Sequence, residues 1–261
     1  MSRAEQAKSF YEREYRGDTY ANSIQPAESA YLDGLRTFIA QHNLQSKRCL
    51  EVGCGRGAFQ DLIDDYVGVD LASSVRPYLH KPFCVSSATE LPFKDNEFDA
   101  IWTITVLEHV VDPEKALDEF RRVLRPGGVL YLAPAWQCRS WAAGGYPVRP
   151  YSDFDFKGKL IKASIPIRDS VFFRSIGIFP RRVFRLISFA FKRFPTAFRY
   201  GTLMPNYDRF WMSDSDAVNS MDPFEAILWF VSRGDKCLSH NSWPQAFLVR
   251  TGAITIRIMK A

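Results

Sequence analysis

Glu51-Val52-Gly53-Cys54-Gly55-Arg56-Gly57 sets a carboxylate at the mouth of a glycine turn, and Asp70 ends the next apolar run. Glycines in such a turn let the backbone pass close beneath a ligand and open the ground in front of a following helix. Taken alone the turn is ambiguous, because Gly53, Gly55 and Ala58 also fit the relaxed dinucleotide pattern G-x-G-x-x-G/A. A tight turn holding no ligand is the plainer alternative. Further on, His109 has a side chain whose ordinary pKa suits proton removal near neutrality. Packing the loop, or touching a ligand without proton transfer, is the other reading of that histidine, and Glu108 beside it is read as a loop-organising carboxylate.

The two acids discriminate between ligands. Glu51 stands where a dinucleotide would place its pyrophosphate, and like charges at close range in a partly buried site repel by several kcal/mol as an order of magnitude. A ligand carrying an ammonium there would instead be attracted. Asp70 can accept hydrogen bonds from both hydroxyls of a ribose. An amine near the turn and a ribose near the second strand describe S-adenosylmethionine better than NAD.

The elements that must position these residues follow from the pattern. Helices are expected over 4–16 and 27–42, the second from the spacing of Tyr31, Leu35, Phe38 and Ile39. Residues 49–52, 66–70, 83–85 and 98–102 read as short strands, with an Asp- and Leu-rich helix expected after the glycine turn. Asp112-Pro113-Glu114 opens a helix that stops at Arg125-Pro126-Gly127-Gly128, before the strand 129–132. Strands alternating with helical segments imply β-α-β units and a largely parallel sheet. The alternation is lost between Pro134 and about Ser220. It resumes with a capping box at Asp222-Pro223-Phe224-Glu225, whose helix stops at Gly234, and a strand-like tail over 246–259 that should complete the first sheet.

With these residues in place, the sequence resembles class I S-adenosylmethionine-dependent methyltransferases of the small-molecule type often called type 11. The resemblance rests on Leu50 to Gly57, Gly68-Val69-Asp70-Leu71, Ala88 to Asp99, Val106-Leu107-Glu108-His109-Val110 and Arg122 to Gly128, in matching order and spacing over residues 48–133. It implies a Rossmann-like α/β fold: seven strands with the last antiparallel, the cofactor across their C-terminal edge, and a helical lid inserted after strand 5. By position, Glu51, Gly53 and Gly55, with Cys54 in the same turn, would hold the methionyl end. Asp70 would hold the ribose, Leu71 and Ala88 would flank the adenine, and Thr103 would lie near the amino-acid moiety. Ser87 stands where the family usually has Asp or Asn to bind the adenine amino group. The implied organisation is N-terminal helices over 1–45, a cofactor domain over 46–134 and 221–261, and an inserted lid over 135–220.

The inserted segment is chemically distinct. From Pro134 to Phe210 there are 14 Lys/Arg against 4 Asp/Glu and 17 of the 38 aromatic residues, although the whole chain carries only +5. Such asymmetry suggests an acidic partner or surface. Residues 181–194 admit two readings: an amphipathic helix resting on an anionic membrane or binding a lipid-tailed substrate, or a lid helix with its phenylalanines packed and its arginines solvated. Tyr207, Trp211 and Asp214 could stack on and bind a sugar or polyol, or Ser213 and Asp214 could simply cap a helix. No third ligand accompanies Asp214 and Asp216, so no metal is expected. Tyr11, Tyr15 and Tyr20 could close over the cofactor, or sit on the surface of a helix.

These readings converge on a methyltransferase acting on an oxygen, with nitrogen or carbon as the alternatives, of a small, glycan or lipid-linked acceptor, with His109 as candidate base. Three other classes compete. A nucleic-acid methyltransferase is disfavoured because Thr103-Ile104-Thr105-Val106 is not the Asn/Asp-Pro-Pro-aromatic motif and no Pro-Cys pair occurs. A non-catalytic binding module and a nucleotide-dependent oxidoreductase are the remaining two. Five cysteines without a C-x-x-C pair, and an N-terminus lacking an apolar signal region, predict a cytoplasmic protein, with membrane association open through 181–194.

Overall fold

The computed structural model describes residues 2–191 and 195–260, and for residues 19, 21 and 23–28 the backbone course alone. In chain order the main elements are α1 (Arg3–Glu14), α2 (Asp18–Gln41), β1 (Cys49–Val52), β2 (Tyr66–Asp70), β3 (Phe83–Val85), β4 (Phe98–Ile104), α3 (Pro113–Val123) and β5 (Leu124–Ala133). The chain then leaves the sheet for α4 (Phe156–Asp169), α5 (Val171–Phe191) and the hairpin strands β6 (Tyr200–Thr202) and β7 (Asn219–Met221). It returns with α6 (Pro223–Val231), β8 (Lys236–Cys237), α7 (Trp243–Leu248) and β9 (Ile254–Arg257).

Seven strands form one sheet in the order β3-β2-β1-β4-β5-β9-β8. β1 to β5 run parallel to one another, and β9 runs antiparallel to both β5 and β8. The last strand of the chain is therefore the antiparallel one, as expected. Side chains alternate across the sheet. Leu50, Val52, Val67, Val69, Ile101, Leu130 and Leu132 pack on one face with Leu117 and Phe120 of α3 and Trp229 and Phe230 of α6. Tyr66, Trp102 and Tyr131 turn to the other face, where α2 lays Leu35, Phe38 and Ile39. Strand order reverses between β1 and β4, so the crevice at their C-terminal ends is where an open α/β sheet binds its ligand.

Several local expectations change. After the glycine turn there is a single 3-10 turn, Gln60–Leu62, in place of the Asp- and Leu-rich helix. Gln60 is committed to the next connection, donating to Tyr78 O and accepting from His80 N. The tail is not one strand: Ser242 caps α7 through Gln245 N, and only Ile254–Arg257 joins the sheet. At α6 Asp222 does cap, accepting from Phe224 N, but Glu225 turns away to pair with Arg185 at 2.8 Å.

That pairing reorients α5. Arg182 and Arg185 are buried, 2% and 6% exposed. Arg182 donates to both oxygens of Asp222 and to the carbonyls of Phe247 and Val249. The arginines, three residues apart, thus face two carboxylates also three residues apart at the start of α6. Meanwhile Phe172, Phe173, Ile176, Val183, Phe184, Ile187 and Phe191 are exposed and fall within an arc of about 120° at 100° per residue. For Phe184, Phe191, Arg182 and Arg185 the reading with packed phenylalanines and solvated arginines is inverted, because burying those two rings would orphan two carboxylates. Phe189 does pack, on Trp243. Lys192, Arg193 and Phe194, the end of the 181–194 segment, lie outside the described residues. Among the described residues no helix is long and apolar enough to cross a membrane.

Candidate functional site

A cleft of about 240 Å³ opens at the C-terminal ends of β1, β2 and β4. Its floor is the glycine turn. The N–H groups of Gly53 and Cys54 both donate to Val69 O, at 2.7 and 3.0 Å, which fastens the turn to β2. Gly53 has φ 76°, and a Cβ there would stand 2.1 Å from Val106 Cγ2. The glycine is thus required both by its backbone and by the loop after β4, which crosses immediately above it.

Both carboxylates chosen from the sequence line this cleft. Glu51 is 3% exposed and accepts from the Tyr66 hydroxyl at 2.5 Å. Asp70 accepts from Gly55 N through one oxygen and from Ala72 N through the other, each at 2.9 Å. Burial raises its pKa, against the backbone N–H groups that hold the charge. A carboxylate has about four acceptor positions, so these bonds fix its orientation while leaving capacity for hydroxyl donors. Leu71, Ser87, Ala88 and Cys54 also line the cleft. The Ser87 hydroxyl is partly engaged within its own turn, 2.8 Å from Thr89 Oγ1. Burial and the neighbouring Asp70 and Glu51 raise the Cys54 pKa well above its ordinary value, which keeps it a thiol and not a nucleophile.

Thr103 is not in the wall. It pairs with Leu132 inside the sheet, and its buried Oγ1 has no hydrogen-bond partner among the described residues. The wall beyond β4 is Ile104, Thr105 and Val106. Thr105 takes φ 52°, a left-handed conformation rare for a branched residue, and is held there by its N–H to Ala133 O at 2.9 Å.

His109 ends a 3-10 turn, Leu107–His109, and lines the same cleft. Its Nδ1 lies 3.3 Å from Asp216 Oδ2 and its Nε2 lies 3.9 Å from Glu108 Oε1. Burial pushes the His109 pKa down, but Asp216, Glu108 and Asp214 together outweigh it and the net shift is upward. Glu108 is fully buried, accepts from Ala135 N at 3.0 Å, and is pushed up to about 7 by burial. Asn219 in β7 holds the turn from beneath, donating to Leu107 O and Val110 O at 2.8 Å each. Two of the groups organising His109, Asp216 and Asn219, therefore come from the inserted segment more than 100 residues downstream. Neither was identified as a partner of His109 from the sequence, which offers no local signal for so distant a contact.

Glu108, His109 and Asp214 bring ligand atoms within 4.8 Å of one another, so the residues that Asp214 lacked in the sequence are present in space. The raised pKa values of Glu108, His109 and Asp214 give this cluster another route to charge balance, through retained protons. None of the three residues considered for acceptor binding lines the cleft. Asp214 stands by His109, while Tyr207 packs on Phe10 with centroids 5.4 Å apart. Trp211 is flanked by Arg149 at 4.7 Å and Arg209 at 3.8 Å.

The N-terminal tyrosines do reach the cleft. Tyr11, Tyr15 and Tyr20 are buried and line it, with Ala4 and Ala7 of α1 beside them. The Arg56 guanidinium, from the glycine turn, donates to Tyr15 O and Gly17 O at 2.9 Å and straps this segment down. Tyr11 donates to Asp216 at 2.7 Å.

The glycine floor, which leaves no space for a Cβ, and two buried acids at separate points of one cleft fit a ligand with an ammonium and a ribose. Comparison with known proteins agrees. Residues 50–132 match a family described as a methyltransferase domain. An uncharacterised protein of Methanocaldococcus jannaschii is 33% identical over 95 residues, covering 35% of this chain and 46% of its own length. The chloroplastic tocopherol O-methyltransferase of Arabidopsis thaliana is 28% identical over 121 residues, covering 40% and 34%. Among solved structures, the sugar N-methyltransferase KedS8 from Streptoalloteichus is 20% identical, with a TM-score of 0.40 over 46% of this chain and 53% of its own. The chain spans less than half the length of the two curated relatives. It carries a class I methyltransferase domain, and the cofactor of that domain is S-adenosylmethionine.

Proposed function

We propose that the chain methylates an oxygen of a small, glycan or lipid-linked acceptor, with His109 taking the acceptor's proton. The observation carrying this reading is the meeting of the glycine turn, Asp70 and His109 in a single cleft. Glu51 with the Gly53–Gly55 turn would hold the methionyl end, and Asp70 the ribose. Tyr11, Tyr15 and Tyr20 would exclude water above them. The cofactor supplies a methyl already made electrophilic by its sulfonium. What remains for the chain is to hold the acceptor in line and to manage one proton.

His109 suits that task because Asp216 lies 3.3 Å from one ring nitrogen and its carboxylate would favour the charge the ring gains. The test is incubation of the purified chain with S-adenosylmethionine and hydroxylated acceptors, following S-adenosylhomocysteine release. Acceptor-dependent release that falls at least a hundredfold in His109→Gln supports the reading. Acceptor-dependent release unchanged by that substitution removes His109 as the base.

A further inference from the structure

A second cavity, of about 790 Å³, lies between α5 and the β6–β7 hairpin, away from the cleft already described. Six arginines line it: Arg139, Arg168, Arg174, Arg181, Arg182 and Arg199. Only two carboxylates do, Asp222 and Glu225, and they are paired with Arg182 and Arg185. Among the described residues Arg168, Arg174, Arg181 and Arg199 have no carboxylate in ion-pair contact.

Hydrogen bonding shows the same imbalance. Arg139 Nη2, Arg174 Nε and Gln137 Nε2 are buried and have no acceptor among the described residues. All three belong to residues that line the cavity. Buried donors without partners are costly, and a group that supplies several acceptor oxygens at once would satisfy them together. Guanidinium forks match tetrahedral phosphate oxygens in geometry as well as charge. The Trp141 ring, with Arg139 at 5.3 Å and Arg168 at 4.5 Å, spaces two of the cations.

We propose that this arginine-lined cavity is a binding site for a phosphate or diphosphate group. Its rim includes Phe173 and Phe184, which also belong to the outward apolar arc of α5. A phosphate carried on an apolar tail would therefore contact both surfaces, and this source is the one expected. The inference does not rest on methyl transfer, and its failure would leave cofactor binding in the other cleft untouched.

Calorimetric titration of the full chain with sodium pyrophosphate tests the site. Saturable binding of one equivalent is expected, weakened at least tenfold in Arg174→Gln/Arg181→Gln. It should be unchanged in Lys157→Gln/Lys159→Gln, whose side chains lie outside the cavity. Arg181→Gln alone, at an exposed position, gives the same direction of change if the double variant melts early. Sedimentation with phosphatidylcholine vesicles, with and without phosphatidylglycerol, separates the sources. Sedimentation only with the anionic vesicles, reversed by pyrophosphate, assigns a lipid-borne phosphate. Pyrophosphate binding without vesicle binding assigns a soluble one. Absence of pyrophosphate binding, or equal binding by wild type and Arg181→Gln, overturns the proposal.

Discussion

Tyr11 donates its hydroxyl hydrogen to Asp216 at 2.7 Å, joining the first helix to the segment inserted after β5 across the mouth of the cleft. The accepting oxygen is the one that faces His109 at 3.3 Å. Three distant parts of the chain thus meet at one carboxylate, and the state of His109 depends on all of them.

If His109 is the base, activity follows its neutral form. Its pKa is raised, so kcat/KM should climb as pH rises through a value above the ordinary 6.5 of histidine. Asp216→Asn removes one of the charges that raise it, so the rising limb should move to lower pH while kcat falls. A pH–rate profile of both proteins checks this. A limb that stays in place would assign the titration to another group.

The same site sets a stability trend. Glu108 titrates near 7 in the fold and near 4.5 unfolded, so its proton is held more tightly in the fold. The stability gained is complete below about pH 4.5 and is lost as pH rises through about 7. His109, also raised, loses its contribution upward from its unfolded value. Glu108→Gln removes the ionisation, and should stabilise the chain by about 3 kcal/mol at pH 8 and by less than about 1 kcal/mol at pH 5. Urea unfolding at the two pH values measures the difference.

Arg182 fastens α5 to the scaffold. Replacing it with Met leaves Asp222 without its partner and two carbonyls without donors. A cost of about 3 kcal/mol is expected, as for other broken buried pairs. Phe184→Ser, on the exposed arc of the same helix, should change stability by less than about 0.5 kcal/mol.

Gly53→Ala meets both a left-handed φ and the Val106 side chain. The combined cost should be about 2 kcal/mol or more, and the displaced loop after β4 should weaken cofactor binding as well. Thermal melts and calorimetry on the variant check the two effects separately.

The parallel sheet was legible because its signals are local. Short apolar runs, the Gly53–Gly57 turn and the Asp112-Pro113 helix start each lie within a few residues of one another. The acids of the cleft were legible for the same reason: Glu51 ends up beside its own turn, and Asp70 one strand away. Thr103 was misplaced by a small margin, since the wall begins only where β4 ends at Ile104. The inserted segment was the least legible part. Its phenylalanines look like core in sequence, and only Asp222 and Glu225, 40 residues on, decide that Arg182 and Arg185 turn inward instead. Asp216 and Asn219 act on His109 through contacts more than 100 residues apart, for which no spacing rule exists.

The central claim is that the cleft above the glycine turn holds S-adenosylmethionine through Asp70. Isothermal titration of the wild-type chain and of Asp70→Ala tests it directly. The account predicts one saturable site in the wild type, with affinity lowered at least tenfold in the variant while the melting curve keeps a single transition. Undetectable binding by a folded wild-type chain, or equal affinity in the two proteins, would contradict it.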